Sequence, residues 1–403
     1  MQNRLYFEDK SQDLHKWAFE QIKNESSHIG YYNLPQQDIS DILSFSDSLD
    51  DSIKTIAVIG IGGSSLGAKA IYEFIKPTRE LKRDLVFFES TDPINIQNTL
   101  KSIEFDKTHF IVISKSGTTI ETMAIFKYIY SLQKDIKHYT FITDSGSKLE
   151  KFAKSQKATT FLLPPNVGGR FSVLSVVGLL PLSLSGVDIE ALLKGAKDIK
   201  DSFFDDGYIQ KALLTKATYY AKHHAKYHIN CIFAYLESLT FFSQWYVQLW
   251  GESLGKKQRN SAFNVGLTPI GLVGPKDQHS FLQLIMEGTR DKSVTFIKIE
   301  DFENELRIPD ISLKYLEDLD IINDISFSKL INMQCDSIIE AIENQKDIPL
   351  DMISIDKSDE VSIGALIYYY ELLTSLVGIL IDVDTYNQPG VELGKVILKQ
   401  KLI

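Results

Sequence analysis

Residues 109–132 read HFIVISKSGTTIETMAIFKYIYSL and contain the strand, loop and helix that decide the fold. The apolar run 109–113 predicts a strand, and the pattern of 123–132 predicts a helix. The loop between them carries five Ser or Thr hydroxyls and a single cation, Lys115. Hydroxyls and backbone N–H groups at the positive end of a helix dipole form an anion site. The loop therefore indicates a site for one small phosphate, and an ordinary βα turn with an N-cap is the alternative interpretation.

The same alternation extends over residues 54–165, where five short apolar runs are separated by four helical patterns. Predicted strands are 55–59, 84–89, 109–113, 138–143 and 160–163, and predicted helices are 66–75, 93–103, 120–133 and 147–156. This order indicates right-handed βαβ crossovers and a parallel, doubly wound sheet flanked by helices. Ligands of such sheets bind at the carboxyl ends of the strands, where the hydroxyl-rich loop lies.

A second alternation follows a long helical stretch over 187–227. Its predicted strands are 230–235, 268–273, 293–298 and 351–355, and its predicted helices are 238–251, 278–288, 327–343 and 360–380. The sequence thus predicts an α/β protein with two similar domains. We assign an N-terminal helical segment to 1–50, a first domain to 51–185, a second to 186–385 and a C-terminal helix to 386–403.

Composition limits the class of protein. A chain of 403 residues exceeds the usual size of a single core, which agrees with two domains. The net charge of −10, without a basic stripe, argues against nucleic-acid or anionic-membrane partners. Cys231 and Cys335 are far apart, so inert buried thiols are expected. The N-terminus lacks a signal-peptide core and the apolar runs 173–184 and 375–383 fall short of a membrane span, so we expect a soluble, cytoplasmic protein.

A second loop, GIGGSSLG over 60–67, also follows a predicted strand and opens a helix. Gly62 permits close approach of a ligand to the backbone, and Ser64 adds a hydroxyl. A dinucleotide fingerprint would need glycine where Ser65 stands, and Glu89 is the only candidate for a ribose-binding acid. Two hydroxyl-rich anion loops on adjacent strands fit a phosphosugar better than a nicotinamide cofactor.

Three further residues are candidates for chemistry. Arg170 follows two glycines after the fifth strand, so its fixed planar cation could stabilise negative charge that develops during a reaction; an exposed loop arginine is the alternative. Glu252 lies in an apolar, aromatic helix end and shares a face with Gln248; it suits a general base, unless it is simply an exposed helix-end glutamate. His279, near a predicted helix N-terminus, is a candidate proton shuttle or else a structural histidine.

Two other patterns carry less information. His224 and His228 have the i, i+4 spacing of zinc ligands, but no glutamate stands between them and no third ligand is evident, so we predict a solvated helix face and no metal site. The last helix begins at Pro389, a favourable first helical residue, with Lys395 on its face and Gln388 just before it.

Six sequence blocks occur in the order found in the glucose-6-phosphate isomerase (phosphoglucose isomerase) family, and over 55–397 the chain resembles that family. The blocks are 60–64, 114–122, 168–170, 251–253, 278–279 and 378–395. The most specific is Tyr-Asn-Gln-x-Gly-Val-Glu-x-x-Lys at 386–395. The resemblance implies two sugar isomerase (SIS) domains and a reversible, cofactor-free conversion of glucose 6-phosphate into fructose 6-phosphate.

The resemblance also implies residue roles. Ser64, Ser114, Lys115, Ser116 and Thr119 are expected to bind the substrate phosphate. Gly62 is expected to contact the substrate as well. Glu252 would move a proton between C1 and C2, and Arg170 would stabilise the cis-enediolate. His279 and Lys395 would open the sugar ring, with Gln248 and Gln388 positioning the sugar. His279 would come from the other subunit, which implies a homodimer.

Two departures from the family and two alternative functions remain at this point. The chain is short for the family, and Ser116-Gly117 stands where many relatives carry Thr and Phe. A non-catalytic phosphosugar sensor would keep the hydroxyl loops but would not need Glu252, His279 and Lys395 together. An amino-sugar phosphate isomerase is the second alternative.

Overall fold

The computed structural model describes residues 1–261 and 263–403, which form two five-stranded sheets, a two-stranded hairpin and the surrounding helices. The strands are β1 Gln2–Leu5, β2 Thr55–Ile59, β3 Asp84–Phe88, β4 Thr108–Ile113, β5 Tyr139–Thr143, β6 Thr159–Leu162, β7 Ile229–Ala234, β8 Lys256–Lys257, β9 Asn264–Val265, β10 Thr268–Val273, β11 Lys292–Ile299 and β12 Leu350–Ile355. The helices are α1 Gln12–Glu25, α2 Ser40–Ser48, α3 Leu66–Ile75, α4 Pro93–Lys101, α5 Ile120–Leu132, α6 Lys148–Ser155, α7 Val176–Ser185, α8 Ile189–Phe204, α9 Tyr208–His223, α10 Thr240–Leu254, α11 Leu282–Glu287, α12 Phe327–Glu343, α13 Glu360–Leu380 and α14 Glu392–Lys401.

The first sheet has the strand order β3-β2-β4-β5-β6, and every neighbouring pair is parallel. All residues of β2 and β4 are buried, because alternate side chains pack into cores on opposite faces of the sheet. Val58 and Ile111 belong to the large core that includes α7, whereas Ile59 and Val112 pack with the buried face of α5. The predicted parallel, doubly wound sheet is confirmed.

The second sheet has the order β1-β12-β11-β7-β10, in which only β1 runs antiparallel to its neighbour. Strand β1 lies in the first fifty residues, for which the sequence predicted helices alone. Four residues are too few to show a strand period, so the pairing of Asn3 with Ile353 had no local signal. The N-terminus of the chain therefore completes the edge of the second sheet.

Helix α13 is the central helix of the second half. It is long and apolar enough to cross a membrane by length and composition, but 89% of its most apolar window is buried inside the protein. The helix predicted over 360–380 is confirmed with the same bounds, but only its uninterrupted apolar run 375–383 had been compared with the length of a membrane span. The helix packs most extensively against α8, which makes it a core element.

Helix α10 connects the two halves. It packs against α3, which follows β2 of the first sheet, and against β10 of the second sheet. The C-terminal end of α10 therefore comes close to the loops at the carboxyl ends of the first sheet. This contact positions the candidate site.

Candidate active site

Arg170 lies at the centre of the site, in a short 3₁₀ turn, Gly169–Phe171, that follows β6. Its side chain is buried, so the alternative of an exposed loop arginine is wrong. Nε donates to Ser253 Oγ at 2.7 Å, and Nη1 donates to Glu252 Oε2 at 3.3 Å and Gln388 Oε1 at 2.8 Å. Nη2 donates to the carbonyl oxygens of residues 385 and 387. All five N–H donors of the guanidinium therefore have acceptors.

The Arg170 guanidinium stays charged in spite of its burial. Burial lowers the pKa of the Arg170 guanidinium, and the nearby Glu252 carboxylate opposes that effect. An arginine keeps its proton in proteins even after such a shift. The arrangement therefore holds a permanent positive charge beside a carboxylate.

Glu252 lies near the end of α10, on the same face as Gln248, as their spacing predicts. Gln248 Nε2 donates to Glu252 Oε1 at 3.3 Å. The Glu252 side chain is 35% exposed and lines a cavity of about 1100 Å³ that also contacts Gln388. This carboxylate is thus neither fully solvated nor sealed in the core, and a small molecule in the cavity could reach it.

The glycine loop over 60–67 packs against the end of α10. Gly62 has φ +61°, and a Cβ at this position would lie 2.9 Å from Gln248 Nε2. A Cβ on Gly63 would collide with the carbonyl group of Gly169, next to Arg170. Both positions therefore need glycine so that this loop can pack against the end of α10 and the turn that carries Arg170.

The two hydroxyl-rich loops are neighbours, as the sequence predicts, because β2 and β4 pair in parallel. A Cβ on Gly60 would lie 2.8 Å from Ser64 Cβ and 3.3 Å from the carbonyl oxygen of Ile113, the last residue before Ser114. Ser64 is half-buried and Ser114 is buried. The carboxyl ends of two adjacent strands thus bring both serines to one edge of the sheet.

Within the second loop the side chains bond mainly to one another. Ser114 Oγ donates to Thr119 Oγ1 at 3.2 Å, and the hydroxyls of Ser116 and Thr118 lie 2.9 Å apart. The Lys115 ammonium donates to the carbonyl oxygen of Val167 at 2.8 Å. This lysine therefore links the loop to the segment that leads into Arg170.

Two predicted catalytic residues do not join this site in the single chain. His279 lies in a 3₁₀ turn, Lys276–His279, before α11 rather than at an α-helix N-terminus; it is exposed and does not line the cavity. The Lys395 side chain is 62% exposed and its ammonium bonds Glu392 at 2.8 Å. Helix α14, which carries Lys395, has no buried residue.

The structure adds functional candidates that sequence reasoning missed. Ser253 accepts from Arg170, and its place directly after Glu252 in the family block 251–253 could have pointed to it. Lys256 donates to residues 384 and 387 from the strand that follows α10. Helical periodicity ends before Lys256, so no sequence pattern pointed to it.

Among the described residues no group of three or more His, Cys, Asp or Glu side chains could hold a metal ion. His224 Nδ1 instead bonds the carbonyl oxygen of Ala221 at 2.7 Å. The two cysteines are free and buried, as predicted.

Comparison with known proteins links the chain to one family. The family described as phosphoglucose isomerase matches residues 44–402. Glucose-6-phosphate isomerase of Campylobacter jejuni is 39% identical over 100% of this chain and 99% of that protein. Glucose-6-phosphate isomerase of Methanocaldococcus jannaschii is 34% identical, with 93% of each chain covered.

Solved structures support the same fold. A hypothetical protein from Thermus thermophilus superposes with a TM-score of 0.87 at 28% identity, covering 97% of this chain and 94% of that one. A glucose-6-phosphate isomerase from Chlamydia trachomatis gives a TM-score of 0.75 at 24% identity, covering 99% of this chain and 80% of that one. The predicted SIS fold is confirmed by these neighbours.

Proposed function

The chain belongs to the phosphoglucose isomerase family, and on that premise we propose how its residues interconvert D-glucose 6-phosphate and D-fructose 6-phosphate. The protein is an aldose–ketose isomerase that acts on sugar phosphates in glycolysis. The observation that carries the proposed mechanism is the contact of one buried guanidinium, that of Arg170, with both Glu252 and Gln388.

The substrate phosphate binds at the two hydroxyl-rich loops. The proposed phosphate ligands are Ser64, Ser114, Lys115, Ser116 and Thr119. Support comes from the parallel pairing of β2 with β4, which puts both loops at one edge of the sheet beside the N-terminus of α5. Binding energy from this unreacting group orients C1 and C2 of the open-chain sugar.

Glu252 is the base. Its carboxylate removes the proton from C2 of the open-chain aldose, the C2–H electrons form the C1–C2 double bond, and the carbonyl oxygen becomes negative. A proton then moves from the C2 hydroxyl to O1, the electrons left on O2 form the C2 carbonyl, and the C1–C2 double bond takes the proton back from Glu252 at C1, which gives the ketose. The carboxylate loses its charge as the enediolate gains one, so Arg170 keeps a negative partner throughout and needs little reorganisation.

Gln248 and Gln388 hold the sugar on either side of this pair. The Oε1 atom of Gln248 is buried and has no donor among the described residues, so it can accept from a sugar hydroxyl. Gln388 is exposed at the cavity and accepts from Arg170. Gly62 leaves room for Gln248.

His279 and Lys395 open the sugar ring, and we propose that a second copy of the chain completes the site with His279. Exposure of His279 outside the cavity of its own chain supports this arrangement. Helix α14 starts at the rim of that cavity and exposes Leu393, Val396 and Ile397, which a homodimer interface would cover. We place the protein in the cytoplasm, where its two free thiols would stay reduced.

The central test is a coupled assay of Glu252→Gln, which keeps the size and hydrogen bonding of residue 252 but cannot accept a proton. We expect kcat to fall by about 10²–10⁴-fold, the usual contribution of a general base. Glu340→Gln, at an exposed position of α12, is the matched control and should retain the parent rate. Near-full activity of Glu252→Gln would show that the base lies elsewhere.

The shared site has a separate test. Purified Glu252→Gln and His279→Ala proteins are each expected to be nearly inactive. Mixed and reassembled, they should regain activity, because one of the two sites in a hybrid dimer would receive an intact base and an intact histidine. No recovery in verified hybrids would contradict a histidine supplied across the interface.

A further inference from the structure

Residues 384–388, which we call the strap, connect α13 to the terminal helix and end at Gln388. The Asp384 carboxylate folds the strap back on itself: Oδ1 accepts from the Tyr386 N–H at 3.1 Å and Oδ2 accepts from Asn387 Nδ2 at 2.6 Å. The strap carbonyl oxygens then bond to two cations from other parts of the chain, Arg170 and Lys256.

The Lys256 ammonium directs all of its hydrogen bonds to the strap. Its ammonium donates to the carbonyl oxygen of Asp384 at 3.0 Å, to Asn387 Oδ1 at 3.1 Å and to the carbonyl oxygen of Asn387. An ammonium has three N–H donors, so none is left for a substrate. The contacts of Lys256 therefore indicate an effect through the strap and not through direct binding.

The strap connects Lys256 to the reacting groups. The carbonyl oxygen of Asn387 accepts from both Lys256 and Arg170 Nη2. The next residue, Gln388, accepts from Arg170 Nη1, and the same nitrogen lies 3.3 Å from Glu252 Oε2. A shift of the strap would thus displace Gln388 and Arg170 together relative to Glu252.

We propose that Lys256 is a positioning residue of the isomerase, which fixes the strap so that Arg170 and Gln388 keep their places beside Glu252. This inference rests on the roles proposed above for Glu252 and Arg170. Lys256 would act without touching the substrate. This role explains why a half-buried lysine lies close to a buried arginine.

The charges around Lys256 make its role testable through the pH dependence of kcat. Burial and the Arg170 charge lower the pKa of the Lys256 ammonium to about 8, whereas Asp384 and Glu252 oppose the shift. Lys257 and Arg259, from its own strand and the turn after it, line the same cavity. Loss of the proton removes one of three N–H donors and the positive charge, so the strap is held less tightly at alkaline pH.

The test compares kcat and KM of the parent and Lys256→Met, in the full-length protein, from about pH 6.5 to 9.5. At pH 7 we expect kcat to fall at least about tenfold with KM within about threefold, because the phosphate loops are untouched and misplaced catalytic groups slow the reaction. In the parent, kcat should decline with an apparent pKa near 8, and Lys256→Met should lack that decline. Lys298→Met, which removes a half-buried lysine bonded to Asp336 on α12, is the matched control.

A kcat within twofold of the parent, or a raised KM at constant kcat, would overturn the positioning role. The same holds if the decline near pH 8 persists in Lys256→Met. A double-mutant cycle with Asn387→Ala distinguishes the positioning role from simple misfolding. If both residues act through the strap, kcat of the double variant falls by less than the product of the two single fold-losses in kcat. A Glu252→Gln protein that is inactive while Lys256→Met is normal would refute this inference and leave the proposed function intact.

Discussion

Glu371 offers a stability prediction that follows from burial alone. It lies in α13 and is fully buried, and neither carboxylate oxygen has a hydrogen-bond partner among the described residues. Burial raises the pKa of this carboxyl well above its usual value, so the folded protein keeps a proton that the unfolded chain releases. Methionine has a similar volume and no carboxylate, so Glu371→Met is expected to be more stable than the parent.

The magnitude depends on pH. Near pH 4.5 and below, both states of the parent are protonated, and the gain is that of removing an unsatisfied buried polar group, about 1–3 kcal/mol. As pH rises above the unfolded value, the parent loses about 1.4 kcal/mol of unfolding free energy per pH unit for as long as its folded carboxyl stays protonated. Glu371→Met has no titrating group at this position, so its gain in unfolding free energy over the parent grows between about pH 5 and pH 7.

Urea unfolding, followed by tryptophan fluorescence at fixed protein concentration, measures the unfolding free energy at each pH. It therefore gives both the gain of the variant at low pH and the growth of that gain with pH. Parent and variant are compared at about pH 5, 6 and 7, with Glu340→Met at an exposed helical position as control. The control should show no pH-dependent gap. A Glu371→Met protein that is less stable than the parent, or an advantage that stays constant with pH, would refute the reasoning.

Three further outcomes are expected. Arg170→Lys should lower kcat by about 10²–10³-fold in the coupled assay, because three donors cannot replace five around the developing charge; a kcat within fivefold of the parent would contradict this. Lys216→Met should cost about 3–5 kcal/mol in urea unfolding by leaving the buried Asp351 carboxylate, now 2.7 Å from the ammonium, without its cation; a loss under 1 kcal/mol would argue against it. Gly62→Ala should lower kcat/KM, since φ is +61° and its Cβ would press on Gln248; an unchanged kcat/KM would contradict that role.

Local patterns predicted most of the fold. The predicted strand 55–59 is β2 as observed, because a short continuous apolar run between turn residues is typical of a strand that is buried on both faces. The i, i+4 spacing correctly placed Gln248 and Glu252 on one helix face. Strand β1 was missed because a short edge strand is defined by its neighbour β12 and not by its own residues.

The candidate site was predicted in part. Motif residues identified the two loops, and strand pairing brought Ser64 and Ser114 to one edge. The burial of Arg170 could not be foreseen, since two glycines before an arginine also suit an exposed loop. His279 and Lys395 lie away from the cavity of their own chain, so their proposed roles depend on the second copy that we expect.

The sequence by itself determined the alternation of strands and helices, the two hydroxyl-rich loops and the family, because each is encoded in short stretches of neighbouring residues. Only the tertiary structure decided how Arg170 is held. Two of its acceptors, Glu252 and Gln388, lie 82 and 218 residues away along the chain. The same holds for Lys256, whose acceptor residues lie 128 and 131 residues away. No local period can encode such separations, so the network around the base exists only after the two halves have packed on α10 and the strap has folded over the cavity.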